Sequence, residues 1–432
     1  LHVSPPRGDT SYFLLSLFVL FLASRALPYN NPTTPEAFFD QRPPSLRIQA
    51  ANEGRVIPGR VLSLSNIFFD PGDQGEISSI YADQLSEQAL YDYIVAIKAK
   101  EIIAPNLPMI YHTPSLDGFD GGILPLRSYS ALMSNTILDG EVTTDGRLRE
   151  HLTAVPDPLW LDYFNVRFLI TDKTADEWIN GIYFDTQHPV TVAAGRRVEL
   201  GYVPPFTATA VLIRTDSGGN PPGQLIGLTS GEGGQERLVM PLRRAETEPE
   251  VWLADPPRPV RFDSLTLEAG GQDWRVLGVT LLDGTNGSFQ TAVPGMYRLI
   301  HSGDVKVYEN LDVLPRVFAV PDMNQFFLPT AARLVDEVVS YEPGRVVVAT
   351  NFVAPTTLVV TEAFYPGWQA TANGVDTAVV PVANFFMGVT VPAGRQEVVL
   401  EFVPQRVLWG GVATAVGILL WLTVLGWAWR KR

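Results

Sequence analysis

The chain has 432 residues, of which 46% are hydrophobic, 10% aromatic and 18% charged. At about 100–200 residues per domain, this length predicts two to four folded units, and the apolar content excludes wholesale disorder. A formal net charge of −14 excludes nucleic acid as a partner, and the lack of cysteine excludes disulfides, thiolate nucleophiles and cysteine-ligated metals.

The N-terminal apolar run, Tyr12 to Ala23, fits either a membrane span or a signal-peptide core. The residues before this run carry one positive charge, Arg7, and one negative charge, Asp9, which is a poor n-region for a signal peptide. Ser24-Arg25-Ala26, by contrast, is an acceptable small-x-small cleavage site and favours a signal peptide. Because the chain starts at Leu1, we expect a longer parent protein. We therefore predict a cytoplasmic stub over residues 1–10 and a transmembrane helix, or alternatively a signal segment, over 11–27.

The next region alternates strands and helices. Three prolines between Pro28 and Pro35 exclude helix there and indicate an exit from the membrane. Arg60–Ser65 alternates as a strand, Asp83–Lys100 has helical spacing, and Pro125–Asn135 opens with proline at a helix start. This alternation predicts a mixed α/β domain.

Residues 190–293 read differently, as short alternating runs between Gly, Pro, Asp and Asn turns, which predicts a jelly-roll-like β-sandwich. The runs after it, over 294–336, resemble the earlier α/β region again. We therefore assign 28–189 plus 294–336 to one extracellular α/β domain and 190–293 to an insertion in it. Val166–Ile170 and Val305–Tyr308 should then lie in one sheet.

Residues 337–406 predict a C-terminal β domain. Asn373-Gly374 between alternating runs is a strong hairpin signal, and Trp368, whose strand leads into this hairpin, should be buried. Residues 407–429 carry no charge and predict a transmembrane helix with tryptophans near both ends. The basic tail, 430–432, predicts a cytoplasmic C-terminus, so that 28–406 lies outside. The overall fold class is α+β, mainly β, flanked by transmembrane helices.

Several short segments resemble the YfhO-like family of bacterial membrane proteins, which are large multi-spanning proteins related to GT-C glycosyltransferases. These segments, in chain order, are Tyr29-Asn-Asn-Pro32, Asn106-Leu-Pro-Met-Ile-Tyr111, Asp117-Gly-Phe-Asp120, Trp160 to Thr171, Val307-Tyr-Glu-Asn310, Leu314-Pro-Arg-Val-Phe318, Glu362-Ala-Phe-Tyr-Pro-Gly-Trp368, Asn384-Phe-Phe386 and Val391-Pro-Ala-Gly394. Two departures matter. The multi-spanning part that carries the presumed lipid-linked sugar chemistry of the family is missing here, except for at most its last helix, and residues 190–293 interrupt the family order.

Four residues are candidates for substrate contact. Asp117 and Asp120 lie in a glycine-rich loop, where paired carboxylates contact sugar hydroxyls or a metal, or alternatively serve tight turns. Tyr365 and Trp368 can stack on sugar rings or pack as a corner of the β domain. The five histidines lack metal-ligand spacing, and no nucleotide-binding or serine-hydrolase motif occurs, so we predict no metal and no cofactor.

The resemblance implies the C-terminal extracytoplasmic part of a membrane glycosyltransferase that moves sugar from a polyprenyl-phosphate donor to a cell-envelope polymer. Its partners would be the bilayer of the bacterial cell membrane, the lipid-linked sugar and the envelope glycopolymer. The alternative is a membrane-anchored surface protein that binds carbohydrate without catalysis. In either case we expect no sugar transfer by this chain alone, and no catalytic residue can be assigned.

Overall fold

The computed structural model describes residues 9–25, 39–119, 124–216, 223–231 and 234–430. The predictions for residues 1–8, for the membrane exit at 28–35, for Asp120 and for residues 431–432 lie outside the described residues. The fold is mixed and sheet-rich, with 37% strand and 25% helix.

The described helices are α1 (Asp9–Arg25), α2 (Pro43–Asn52), α3 (Gln74–Tyr81), α4 (Glu87–Glu101), α5 (Leu107–Ile110), α6 (Arg127–Thr136), α7 (Pro158–Tyr163) and α8 (Gln405–Arg430). The described strands are β1 (Arg60–Ser63), β2 (Val166–Thr171), β3 (Asp176–Ile179), β4 (Ile182–Asp185), β5 (Val190–Val192), β6 (Arg197–Glu199), β7 (Thr207–Ala208), β8 (Ala210–Thr215), β9 (Gly223–Gly231), β10 (Gly234–Pro241), β11 (Arg243–Arg244), β12 (Val251–Ala254), β13 (Val260–Arg261), β14 (Ser264–Ala269), β15 (Trp274–Asp283), β16 (Ser288–Ala292), β17 (Tyr297–Ser302), β18 (Lys306–Asn310), β19 (Val317–Val320), β20 (Glu337–Glu342), β21 (Arg345–Phe352), β22 (Thr356–Ala363), β23 (Trp368–Ala372), β24 (Val375–Thr377), β25 (Val379–Val382), β26 (Phe386–Val391) and β27 (Gly394–Phe402).

A four-stranded mixed sheet, in the order β1-β2-β18-β17, joins distant parts of the chain. β1 and β2 run parallel, whereas β2 and β18 run antiparallel with Ile170 opposite Val307. The prediction that Val166–Ile170 and Val305–Tyr308 lie in one sheet is confirmed. Neighbouring residues of β2 point to opposite faces. Phe168 therefore packs in the cluster of Ile48 from α2, and Leu169 in that of Met133 from α6.

The helix boundaries differ from those predicted. The run predicted as one helix from Asp83 contains α4 alone, which begins at Glu87 because the Ser86 hydroxyl accepts a hydrogen bond from the Ala89 N–H at 3.2 Å. The helix predicted to open at Pro125 begins at Arg127.

Between β4 and β17 two sheets face one another across an apolar core. One has the order β10-β9-β14-β6, and the other β11-β12-β8-β15-β16 with β5 also paired to β15. Leu225 and Leu265 of the first sheet and Ile213 and Val279 of the second are fully buried in the same cluster, together with Trp274. The boundaries of an inserted domain here remain a prediction.

Two further sheets, β19-β22-β26-β25 and β20-β21-β27-β23-β24, pack face to face near the C-terminus. β19 lies within the range predicted for the α/β domain, yet it pairs with β22, so this pair of sheets begins before residue 337. The predicted hairpin joins β23 to β24. Asn373 and Gly374 both have positive φ, of 48° and 76°, as its two-residue turn requires.

The C-terminal helix α8 is long and apolar enough to cross a membrane. An 18-residue window within its 26 residues reaches a mean hydropathy of 2.0, and none of that window is buried in the fold. At 1.5 Å per residue it extends about 39 Å, which exceeds the roughly 30 Å hydrocarbon core. The apolar part of α1, Leu14–Ser24, is shorter. The side of the membrane on which the sheets lie remains a prediction.

Candidate functional site

Asp117 is 8% exposed and holds two segments of the chain together. Its Oδ1 accepts a hydrogen bond from the Leu148 N–H at 2.7 Å, and its Oδ2 lies 3.6 Å from Nε of Arg149. Burial raises the pKa of this carboxyl to about 6, against the opposing effects of the Leu148 hydrogen bond and the Arg149 charge. This geometry fits the alternative that Asp117 serves the turn. Its predicted partner Asp120 lies outside the described residues.

The two aromatic candidates lie at a different place. Tyr365 is 49% exposed, with its ring 6.3 Å from that of Phe402. Trp368 is half-buried and not fully buried as predicted: its ring packs on Phe402 at 5.5 Å and against the core of the C-terminal sheets, while Trp368 also borders a cavity. Asp117 borders another, smaller cavity of about 270 Å³. Among the described candidates, Asp117 is thus not brought together with Tyr365 and Trp368.

A cavity of about 700 Å³, which we call the junction cavity, lies where the chain passes between the mixed sheet and the two facing sheets. Its walls are formed by the two chain connections between these sheets, by helix α7 and by the loop that precedes α7. The lining residues include Thr153, Pro158, Asp162, Thr186, Gln187, His188, Pro189, Val198, Pro294, Tyr297, Asn310 and Asp312. Its volume falls within the usual range for small-molecule sites, of about 300–1,000 Å³.

Asp162 on α7 is the titratable centre of the junction cavity. Its Oδ1 accepts a hydrogen bond from Nδ2 of Asn310, at the end of β18, at 2.7 Å. Burial raises the pKa of Asp162 to about 7, the Asn310 hydrogen bond opposes this rise, and the nearby charges of Asp312 and Asp157 add to it. The raised pKa brings the protonated form of this carboxyl into the neutral pH range, where it can both donate to and accept from a hydroxyl group.

His188 and Tyr297 form the inner wall. Both are 6% exposed, and their rings stack with centroids 4.0 Å apart. Among the described residues, His188 Nε2 and the Tyr297 hydroxyl have no hydrogen-bond partner. Burial, assisted by the charge of Lys306, lowers the pKa of His188 to about 3, so the imidazole is neutral. Both atoms are shielded from solvent, so in this structure they are unsatisfied polar atoms within the wall, which is a costly arrangement.

A buried ionic network supports this wall from behind. Lys306 is fully buried, with Nζ 3.2 Å from Oδ1 of Asp185 and also paired with Asp176. The Tyr308 hydroxyl donates to Oδ2 of Asp185 at 2.6 Å, and the Tyr308 ring lies edge-on to His188 at 4.4 Å. The network fixes the hairpin β3–β4 to β18, and with it the orientation of His188.

A second polar cluster lies by Trp368. Arg60, Arg316 and Tyr341 all reach Oε1 of Glu362, next to a cavity of about 580 Å³ that Arg316, Tyr341, Glu362 and Trp368 line. Within the described ranges, no group of three or more His, Cys, Asp or Glu side chains is arranged to hold a metal.

The sequence did not single out Asp162, Asn310, Arg316 or Glu362, although each lies in a segment that carries the family resemblance. The available signal was the position of Asp162 and Asn310 beside apolar strands that were expected to pair. What could not be seen was that these segments meet, since 148 residues separate Asp162 from Asn310.

No protein-family model and no curated protein matches the chain. Among solved structures it is similar to three cryo-EM structures of the arabinofuranosyltransferase AftD from Mycobacteria, two of them of a mutant. The identities are 16%, 12% and 13%, each with a TM-score of 0.16, over 45%, 55% and 55% of this chain and 13%, 27% and 22% of AftD. The chain thus spans less than a third of the AftD chains it matches. A TM-score of 0.16 does not establish a shared fold.

Proposed function

We propose that the chain is the C-terminal extracytoplasmic part of a YfhO-like, GT-C-related membrane glycosyltransferase, and that the junction cavity binds the glycan acceptor. The family assignment is supported by the resemblance segments and by α8, which has the length and composition of a membrane span. The basic residues from Arg430 onward favour a cytoplasmic end for this helix.

The observation that carries the glycan proposal is the junction cavity itself. Asp162 and Asn310 offer a donor and acceptor pair suited to hydroxyl groups, and the Tyr297 hydroxyl and His188 Nε2, which are shielded and unpartnered in the wall beside them, would gain a partner if a glycan hydroxyl reached them. Prolines and valines supply much of the remaining lining, together with threonines, Gln187 and a second carboxylate, Asp312. Apolar walls with a few convergent polar groups fit a sugar, which has apolar C–H faces between its hydroxyls.

The chain binds the acceptor but does not transfer the sugar by itself. A polyprenyl-phosphate donor keeps its reactive phosphate at the membrane surface, so the catalytic group belongs to the multi-spanning part. On the alternative proposal, a membrane-anchored carbohydrate-binding protein, the junction cavity has the same ligand and no transfer follows. Transfer by the full parent protein, abolished by changes in its membrane part, would separate the two.

The direct test is calorimetric titration of the chain, held in lipid nanodiscs, with neutral oligosaccharides released from bacterial envelope polymers. Tyr297→Phe should weaken binding about 5–10-fold, since a net hydrogen bond contributes about 1 kcal/mol. Tyr163→Phe is the matched control. Its buried hydroxyl also lacks a partner among the described residues, but it lies in the apolar core outside the junction cavity.

Binding that survives Tyr297→Phe and Asp162→Asn unchanged would refute the junction cavity as the glycan site. A chain that binds none of the oligosaccharides would refute the function.

A further inference from the structure

The cavity beside Trp368, which we call the arginine cavity, is separate from the junction cavity and has a different chemistry. It opens between the loop after α5 and the C-terminal sheets. The lining residues that matter for its chemistry are Met109, Arg316, Tyr341, Glu342, Glu362 and Trp368. Only one of these side chains, Arg316, is an arginine or lysine.

The cluster behind this cavity holds one positive charge more than its carboxylate neutralises. Arg60 Nη2 donates to Glu362 Oε1 at 2.8 Å, Arg316 Nη2 donates to the same oxygen, and so does the Tyr341 hydroxyl at 2.5 Å. Burial raises the pKa of Glu362, but Arg60 and Arg316 more than offset this and hold it below its usual range. Two guanidinium groups therefore share one carboxylate.

Arg316, and not Arg60, is the arginine that lines the cavity. The donors of Arg60 are taken up by the Phe164 carbonyl and by Thr361, besides Glu362. Arg316, which is 7% exposed, reaches the Pro58 carbonyl only at 3.4 Å, and its Nε has no hydrogen-bond partner among the described residues.

Arg316 is also held in place. Its guanidinium carbon lies 4.8 Å from the centre of the Tyr341 ring, and its Nη2 donates to the Tyr341 hydroxyl at 2.9 Å. A fixed, desolvated guanidinium that lacks a full complement of acceptors is well suited to bind an oxyanion.

We propose that the arginine cavity binds the carboxylate of an acidic sugar residue, with Arg316 as the anion contact and Trp368 as the surface for the sugar ring. That the anion is carried on a sugar rests on the proposed function, whereas the anion site itself does not. Arg60 and Arg316 carry two positive charges against the one negative charge of Glu362, and Glu342 on the rim adds a second negative charge, so a singly charged carboxylate is favoured over a doubly charged phosphate monoester. The partly exposed Trp368 ring and the Met109 side chain, which is 73% exposed, supply apolar surface beside it.

Glu342 tunes this site from the rim. It is exposed, lines the cavity and forms no ion pair within the described part of the chain. Its charge opposes that of an incoming anion, so Glu342→Gln should tighten carboxylate binding about two- to threefold.

The test compares glucuronate, glucose and dimethyl phosphate as ligands of the chain in nanodiscs, by calorimetry. Glucuronate should bind at least tenfold more tightly than glucose. Arg316→Gln should remove the preference for glucuronate. Arg316→Lys should reduce a tenfold preference to about threefold or less, because lysine lacks the planar guanidinium group. Arg214→Gln is the matched control, since Arg214 is also shielded from solvent but is neutralised by Glu177 and Glu250.

Equal binding of glucuronate and glucose would overturn the proposal, and so would a preference that survives Arg316→Gln. A tenfold preference for dimethyl phosphate without one for glucuronate would replace the carboxylate by a phosphodiester and overturn the assignment. If Arg316→Gln does not fold, Arg316→Lys and Glu342→Gln decide, because their opposite effects on glucuronate binding are specific to this site. Neutral oligosaccharides at the junction cavity should bind the folded variants unchanged, which separates failure of this site from failure of the proposed function.

Discussion

The raised pKa of Asp162 makes the stability of this protein depend on pH in a predictable direction. In the unfolded chain an aspartate has a pKa near 3.8, and in the junction cavity burial raises it to about 7. The folded state therefore binds a proton more strongly than the unfolded state over that interval. The contribution of Asp162 to the free energy of unfolding is therefore fully present below about pH 4, and it is lost as the pH rises to 7.

Replacing Asp162 by Asn should remove this dependence, because the amide is neutral and its oxygen can still accept the hydrogen bond from Asn310. Each pKa unit corresponds to about 1.4 kcal/mol. Between pH 5 and 8 the wild-type chain should thus lose about 2 kcal/mol relative to Asp162→Asn, allowing for screening of a carboxyl that is partly open to solvent. For a chain of this size, that is about 2–3 °C in unfolding temperature.

The assay is thermal unfolding of both proteins in nanodiscs at half-unit steps of pH. The unfolding temperature of Asp162→Asn relative to that of the wild type should rise steadily from pH 5 to 7 and stay constant at higher pH. Asp83→Asn serves as the control, since Asp83 is exposed between α3 and α4. Parallel pH profiles for wild type and Asp162→Asn would refute the inference that this carboxyl is buried with a raised pKa.

Three further predictions concern topology and the buried polar groups. A single cysteine at the exposed Ser288 should react with a membrane-impermeant maleimide on intact cells, since the natural chain has no cysteine; labelling only after permeabilisation would place the sheets in the cytoplasm. Asp117→Ala should cost about 1–3 kcal/mol in urea unfolding without changing glycan affinity, as expected of a turn carboxylate, and a lost affinity would return it to the candidate ligands. Lys306→Met should destabilise by about 3–5 kcal/mol because it leaves Asp185 charged and buried, whereas a cost below 1 kcal/mol would mean that the pair is solvated.

Local features were readable from the sequence because they depend on short stretches of chain. The uncharged run that forms α8 needs no partner to be recognised, and Asn373-Gly374 specifies its hairpin through the positive φ that both residues adopt. The pairing of β2 with β18 was also predictable, since two apolar runs flanked a region of different texture.

The tertiary structure alone decided which polar residues meet. Asp162 reaches Asn310 across 148 residues, and Arg60 reaches Glu362 across 302. Nothing in the spacing near either residue encodes such a contact. The same holds for burial: Trp368 lies in a strand as expected and packs against the core, but the cavity beside it, which distant segments enclose, leaves the residue only half-buried. Periodicity reports which face a residue shares with its neighbours in the chain, whereas a site is made where faces of distant elements pack together.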